Sequence, residues 1–392
     1  MKFEILKSPV AVFLALAIFA IVAVACGSDE VPAPAQTVAT PTIAVPTAAP
    51  TAVPTIAPAA IPTATTVAAP TAAPTVAPTA VPTAVPTPSP WGIDAIVDPS
   101  NFGWPRVLQL GDDRITIEAP PERLHTLSLG HDEIVVALVG AEGLVGIGSF
   151  TANETYSNVA VEVQGLTKVK RDAEEVVSLN PDLVIASKFT KQDLVDAISG
   201  TGIQVVRTAL ESSGEGHETN IRTLAYMLGA EDRAEELIAQ IQNRIAFVQS
   251  NVSDAGAATK PGVLSIAKFS DSISAAGGDS TEGGIIEQAG GENVAATSGI
   301  DGHATVSIES IIAMNPDVIV ITQPDPGATD LADLLKAEPA LANVPAIAND
   351  LIMLGDPRYF TTLSHWNVRG IEDLAAVLFP ERFVGVTFGG FE

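Results

Sequence analysis

One thirteen-residue pattern occurs twice in this chain and limits the fold more than any other feature. Residues 174–186 read EEVVSLNPDLVIA and residues 309–321 read ESIIAMNPDVIVI. Each copy opens on a carboxylate, Glu174 or Glu309, and runs through two turns of helix-compatible residues to Asn-Pro-Asp. The helix has to stop at Asn180 and at Asn315, because Pro181 and Pro316 disfavour the α region for the residue before them. The Val/Ile run after each Asp is too short for a helix and suits a strand buried on both faces of a parallel sheet. Two helix–turn–strand units with the same flanks and the same Glu-to-Asp spacing point to two similar lobes. The bland alternative is a generic αβ unit used twice.

The chain has 392 residues, room for two domains, and 47% hydrophobic residues, enough for real cores. Its formal charge of −26 argues against a nucleic-acid partner, whose phosphates require a basic surface.

The first quarter of the chain has a different character. Lys2 and Lys7 precede an apolar run from position 10 to 25, and the single cysteine, Cys26, follows directly. This is an export-signal layout. It resembles the lipobox of bacterial lipoproteins, in which the Cys becomes the lipid-carrying N-terminus, although Ala23 stands where that pattern prefers Leu. Ala23, Val24 and Ala25 would also serve as an ordinary export cut. Residues 31–90 are Pro, Thr, Ala and Val almost exclusively, without one charged residue. Proline at that density rules out helix and sheet interiors. At ~3.1 Å per residue the segment is a semi-rigid spacer of roughly 180 Å when extended. We read residues 1–25 as a signal peptide and 26–90 as a lipid-anchored cysteine with a disordered tether, its threonines open to O-glycosylation.

From there the pattern becomes globular. Residues 107–117 alternate about a Gly-Asp turn and predict a β-hairpin. A strand is expected over 124–129, with Asp132 capping a helix over 133–139. Short strands and helices then alternate, as in a parallel α/β lobe. Ala234, Leu237, Ile238, Ile241, Ile245, Val248 and Val252 fall at steps of three and four. They make one apolar stripe on a helix of about 21 residues, roughly 30 Å long. Lying between the two repeats, it is a candidate connector. Boundaries follow at 91–230 for the first lobe, 231–253 for the helix and 254–392 for the second lobe. The glycine cluster at 277–284 lacks the Lys-Ser/Thr of a phosphate loop.

Several stretches together resemble the Fe/B12 class of binding proteins, the ABC-importer subunits that carry ferric siderophores, haem or cobalamin. They are PERLHTLSL at 121–129, DEIVVAL at 132–138, VGI at 145–147, LNPDLVIA at 179–186, GIIEQAGGEN at 284–293, MNPDVIV at 314–320 and EDLAAVLFPE at 372–381. The resemblance implies an α/β protein of two Rossmann-like lobes joined by one long rigid helix, with a ligand cleft between them. It also implies that Glu174 and Glu309 dock against arginines of the permease, one from each lobe. Complementary charge of that kind contributes to encounter and orientation more than to affinity. The same two residues also suit helix starts on dipole grounds alone.

Ligands of open α/β sheets sit beyond the carboxyl ends of the strands. That rule selects Arg358, Tyr359, His131, Phe150, Lys188, Phe189, Phe269 and His303 as ligand-binding candidates. Arginine can fork onto carboxylate or catecholate oxygens, and aromatic faces suit a bulky chelate. His131 and His303, on opposite lobes, are candidate haem ligands; no spacing suggests a directly bound metal ion. The expected protein is a monomer with no permanently bound cofactor. Its ligand is an iron- or cobalt-containing chelate, a ferric siderophore first, haem or cobalamin second. Its partners are a permease and ATPase complex and, through the lipid anchor, the outer face of the membrane. A sensor subunit, an extracellular enzyme and a surface adhesin are the alternatives. Against the enzyme alternative, the chain has no G-x-S-x-G, no H-E-x-x-H and no cysteine beyond Cys26.

Overall fold

The computed structural model describes residues 89–211, 214–253 and 260–391, all inside one compact unit, Pro82–Glu392. The signal segment, Cys26 and the spacer up to residue 88 lie outside the described residues.

The first lobe begins with strands β1 (Arg106–Leu110), β2 (Asp113–Ile117) and β3 (Leu124–Thr126), then helix α1 (Leu129–Val139). Strands β4 (Ile147–Gly148) and β5 (Lys168–Val169), helix α2 (Ala173–Ser178), strand β6 (Leu183–Ser187), helix α3 (Gln192–Ser199), strand β7 (Gln204–Thr208) and helix α4 (Gly214–Leu228) complete it. Helix α5 (Glu231–Val252) follows. The second lobe carries β8 (Gly262–Phe269), β9 (Ser272–Ala276), α6 (Thr281–Gln288), β10 (Glu292–Asn293), α7 (Val294–Thr297), β11 (His303–Val306) and α8 (Ile308–Met314). It continues with β12 (Val318–Ile321), α9 (Gly327–Ala337), α10 (Pro345–Ala348), β13 (Ile352–Leu354), α11 (Pro357–Phe360) and α12 (Asn367–Leu378).

β1 and β2 form the expected hairpin, turning at Gly111, whose φ of 63° is left-handed and suits glycine. β3, β6 and β7 form a parallel sheet, and β4 pairs in parallel with β5. In the second lobe the order is β11-β9-β8-β12-β13, with β10 also on β8. β8, β10, β12 and β13 are parallel, and β9 runs against its neighbours.

The two repeats fold alike. Asn180 and Asn315 both take left-handed backbone, at φ 49° and 47°, a region asparagine tolerates better than most residues. The chain then turns into β6 and β12, all of whose residues are buried. Each repeat's Asp ties the turn to the neighbouring strand. Asp182 accepts from the backbone N–H of Glu122, at 2.7 Å, and of Arg123, at 3.1 Å, just before β3. Asp317 accepts from Gly262 N at 2.7 Å, where β8 starts. The repeat is a register device used once per lobe.

Helix α5 divides its apolar stripe between the lobes. Ala234, Leu237, Ile238 and Ile241 enter the first-lobe core, Val248 enters the second-lobe core, and Ile245 touches both. Burying such side chains contributes roughly 1.5–3 kcal/mol each. It has a companion in α12, which places Val368 in the first core and Ile371 and Leu374 in the second. Arg244 of α5 forks onto Glu372 of α12 with Nε–Oε1 2.8 Å and Nη2–Oε2 2.6 Å. Two helices bridge the lobes where the sequence pattern marked one.

Candidate functional site

Three hollows open at the carboxyl ends of the strands. The first, about 240 Å3, lies in the first lobe and is edged by Ser128, Ser149, Phe150, Lys170 and Arg171. The second, about 400 Å3, has walls from both lobes: Glu154 and Thr155 on one side, Gln323, Asp325, Asp356 and Arg358 on the other. The third, about 60 Å3, belongs to the second lobe and is lined by Ser265, Phe269, Glu282, His303 and Thr322. They lie where a parallel α/β sheet receives ligands.

Phe150 lines the first hollow and Phe269 the third, and Phe189 stands exposed beyond the end of β6. Phe150 is 54% exposed and rests edge-on against Tyr156 at 5.4 Å; Phe189 and Phe269 are 70% and 67% exposed. Rings this open to water gain free energy when a ligand covers them. Lys188 is engaged with Glu211 at 2.8 Å and lies 5.5 Å over the ring of Phe189.

Arg358 and Tyr359 stand in α11, at the second-lobe wall of the cleft. The Arg358 guanidinium is already forked onto Asp356, with Nε 3.1 Å and Nη2 2.6 Å from its oxygens. Tyr359 stacks on Trp366, with centroids 6.4 Å apart. A ligand reaching Arg358 would have to share it with Asp356.

The two histidines that were candidate haem ligands on opposite lobes are placed differently. His131 is fully buried in α1. One ring nitrogen meets Ser128 Oγ at 2.8 Å and the other Thr208 Oγ1 at 2.7 Å. Burial pushes its pKa down to about 3. The reason is local: β3 ends at Thr126 and α1 starts at Leu129, with Ser128 in the N-cap position, so the expected cap Asp132 falls inside the helix. That places His131 against the core instead of at the strand end, and leaves Asp132 buried beside the end of β3. Asp132 accepts from Thr126 Oγ1 at 2.8 Å and Thr151 Oγ1 at 2.5 Å, and burial raises it to about 7. It fastens the loop carrying Phe150 to the end of β3.

His303 stays at the surface. It opens the edge strand β11, 55% of its side chain is exposed, and its Nε2 lies 3.4 Å from Oε2 of the nearly buried Glu282. The hydrogen bond to Glu282 raises its pKa. With Nε2 turned to the carboxylate, Nδ1 is the nitrogen left to coordinate. Glu282 sits in the first turn of α6 behind the Ser280 cap, and nothing in the sequence distinguished it from any other helix-start acid. Lys170 and Arg171 were passed over because β5 is two residues long and leaves no strand pattern.

Glu174 and Glu309 occupy equivalent places, exposed in the first turns of α2 and α8 behind the caps Asp172 and Ser307. The hydrogen bond with Ser307 lowers the Glu309 carboxyl.

Two α/β lobes presenting strand ends across a gap define a solute-capturing protein of the two-lobed binding class. The family described as periplasmic binding protein matches residues 125–359, well over half of the chain, and the chain belongs to that family. An uncharacterized ABC transporter substrate-binding lipoprotein of Bacillus subtilis, YvrC, is 24% identical over 69% of this chain and 83% of its own length. A cobalamin-binding protein of Halobacterium salinarum is 28% identical over 53% of this chain; the match spans about half of that protein, 55%. Among solved structures, the periplasmic heme-binding protein RhuT of Roseiflexus sp. RS-1 in apo form is 26% identical, with a TM-score of 0.59, covering 67% of this chain and 100% of that one. A periplasmic heme-binding protein of Pseudomonas aeruginosa gives 25% and 0.57, over 66% of this chain and 93% of its own. The Fe/B12 class expected from the motifs is the class found.

Proposed function

We propose that this protein is the substrate-binding component of an ABC importer that captures an iron or cobalt chelate between its lobes and hands it unaltered to a permease. In this reading residues 1–25 direct export and Cys26 carries the lipid. Residues 26–90 give reach, and lobes 91–230 and 254–392 are joined by the helix at 231–253. The protein acts as a monomer at the outer face of the membrane, and Glu174 and Glu309 meet the permease.

The observation that carries the choice of ligand is the His303–Glu282 pair beside Phe269. An imidazole with one nitrogen held by a carboxylate is oriented to fill an open axial position on a metal macrocycle. A hexadentate ferric siderophore offers no such position. The pair therefore favours haem or cobalamin over the siderophore preferred from sequence, and the haem- and cobalamin-binding relatives support the same order. The siderophore reading rests on Lys170 and Arg171 at the first hollow, which suit carboxylate or catecholate oxygens.

Absorption spectra with haemin, cobalamin and ferric siderophores, together with tryptophan quenching, test this. Haemin or cobalamin should bind with a shifted metal band. His303→Ala should remove that shift and weaken binding about tenfold or more. Quenching by ferric siderophores alone would overturn the macrocycle reading, and quenching by none of the three would overturn the chelate reading.

A further inference from the structure

Besides α5 and α12, the short stretch just before α12 crosses between the lobes. Phe360 is 2% exposed in the second-lobe core, whereas Leu363, three residues on, packs on the first-lobe core. At this crossing stands Glu133 of α1, fully buried. Its Oε2 accepts from Thr362 Oγ1 at 2.7 Å and Ser364 Oγ at 2.5 Å. Its Oε1 accepts from Asn158 N at 2.8 Å and Asn158 Nδ2 at 2.9 Å. The same Asn158 amide also donates to Arg358 O at 2.9 Å.

These partners adjoin in sequence the residues that wall the 400 Å3 hollow. Asn158 closes the loop that presents Glu154 and Thr155, and Thr362 and Ser364 follow directly on the turn that presents Asp356 and Arg358. All four donors are neutral, so the carboxylate is held by direction rather than by a countercharge. Burial raises the Glu133 carboxyl, and the bonds from Ser364, Asn158 and Thr362 work against that rise. An apolar contact at this point could slide, but four hydrogen bonds of fixed geometry cannot without leaving buried groups unpaired.

We infer that Glu133 is a positioning residue for ligand capture, the pin that fixes the distance between the two walls of the cleft. Its effect on affinity rests on the cleft being the ligand site; its effect on wall separation does not.

The test uses the full chain carrying Cys26→Ser, with spin labels at Glu154→Cys and Asp325→Cys, and reads distances by pulsed electron resonance. The unpinned variants are Glu133→Gln and, should that one fold poorly, the double Thr362→Val and Ser364→Ala. The parent should give one narrow distance distribution. The variants should widen it or lengthen it by about 2 Å or more, and haemin, where the parent binds it, should leave about ten times faster. Distributions identical to the parent in both variants would overturn the pin. A widened distribution with no haemin binding by the parent would sustain the pin and overturn haem as the ligand instead.

Discussion

The two lobes are alike at one end and unlike at the other. At the repeat end, each has a capped helix start, a surface Glu, a left-handed Asn and an Asp that binds the backbone of the next strand. At the cleft end the resemblance stops. The first lobe buries His131 between two hydroxyls and exposes Phe150 and Phe189. The second exposes His303 on a buried carboxylate and sets Arg358 against Asp356. Features that fix strand register and expose a helix-start carboxylate have been used twice. Features that would meet an asymmetric ligand have been chosen separately on each side.

The largest effect should come from the shared end. Replacing Glu174 and Glu309 together by Ala should abolish uptake in cells while leaving ligand affinity in solution unchanged. Loss of ligand binding in the purified double variant would erase the division between the two ends. Each single variant should retain partial uptake, since the other lobe still offers its carboxylate.

Acid should sharpen the contrast between the lobes by a smaller amount. His131 and His217, with folded values pushed by burial to about 3 and about 4, are neutral in the folded first lobe. Their contribution is complete above the unfolded value of about 6.5 and is lost as pH falls toward the folded values. Asp132, raised to about 7, acts oppositely: its contribution is complete below 3.8 and declines as pH rises toward 7. His303, raised by Glu282, also contributes most at low pH and loses that contribution as pH rises through its folded value. Four buried histidines lose their contribution on acidification, His125 and His365 being lowered by burial like His131 and His217, against two buried carboxyls that gain, Asp132 and Glu133. Between pH 6.5 and 4.5 the melting temperature should fall by about 5 °C. By hydrogen exchange, β6 should lose protection before β12. A melting temperature that rises over that range, or loss in β12 first, would remove the distinction.

Much of this was legible in the chain itself. The repeats, the hairpin turn at Gly111 and the stripe along α5 depend on local periodicity and on proline and asparagine geometry, which tertiary context reinforces. The strand-end hollows were partly legible: Phe150 lines the first, Phe269 and His303 the third, and Phe189 follows the end of β6. His131 does not, because α1 begins four residues before the expected start and is buried through Gly130, His131, Asp132 and Glu133. A helix whose polar residues all face inward shows no polar stripe, so neither its rotation nor the partners of Glu133 could be read from spacing. Those partners lie 25 to 231 residues away in the chain. The second bridging helix was hidden for a similar reason, since Val368 and Ile371 differ in the core they enter but not in residue type.

The central claim is capture across a gap held nearly constant by α5, α12 and the crossing at Glu133. X-ray scattering of the full chain with and without its bound chelate tests this most directly. The two curves should superimpose, with radii of gyration agreeing within about 1 Å, as expected where hinge closure is confined to a few degrees. A clear compaction on ligand binding would contradict the account.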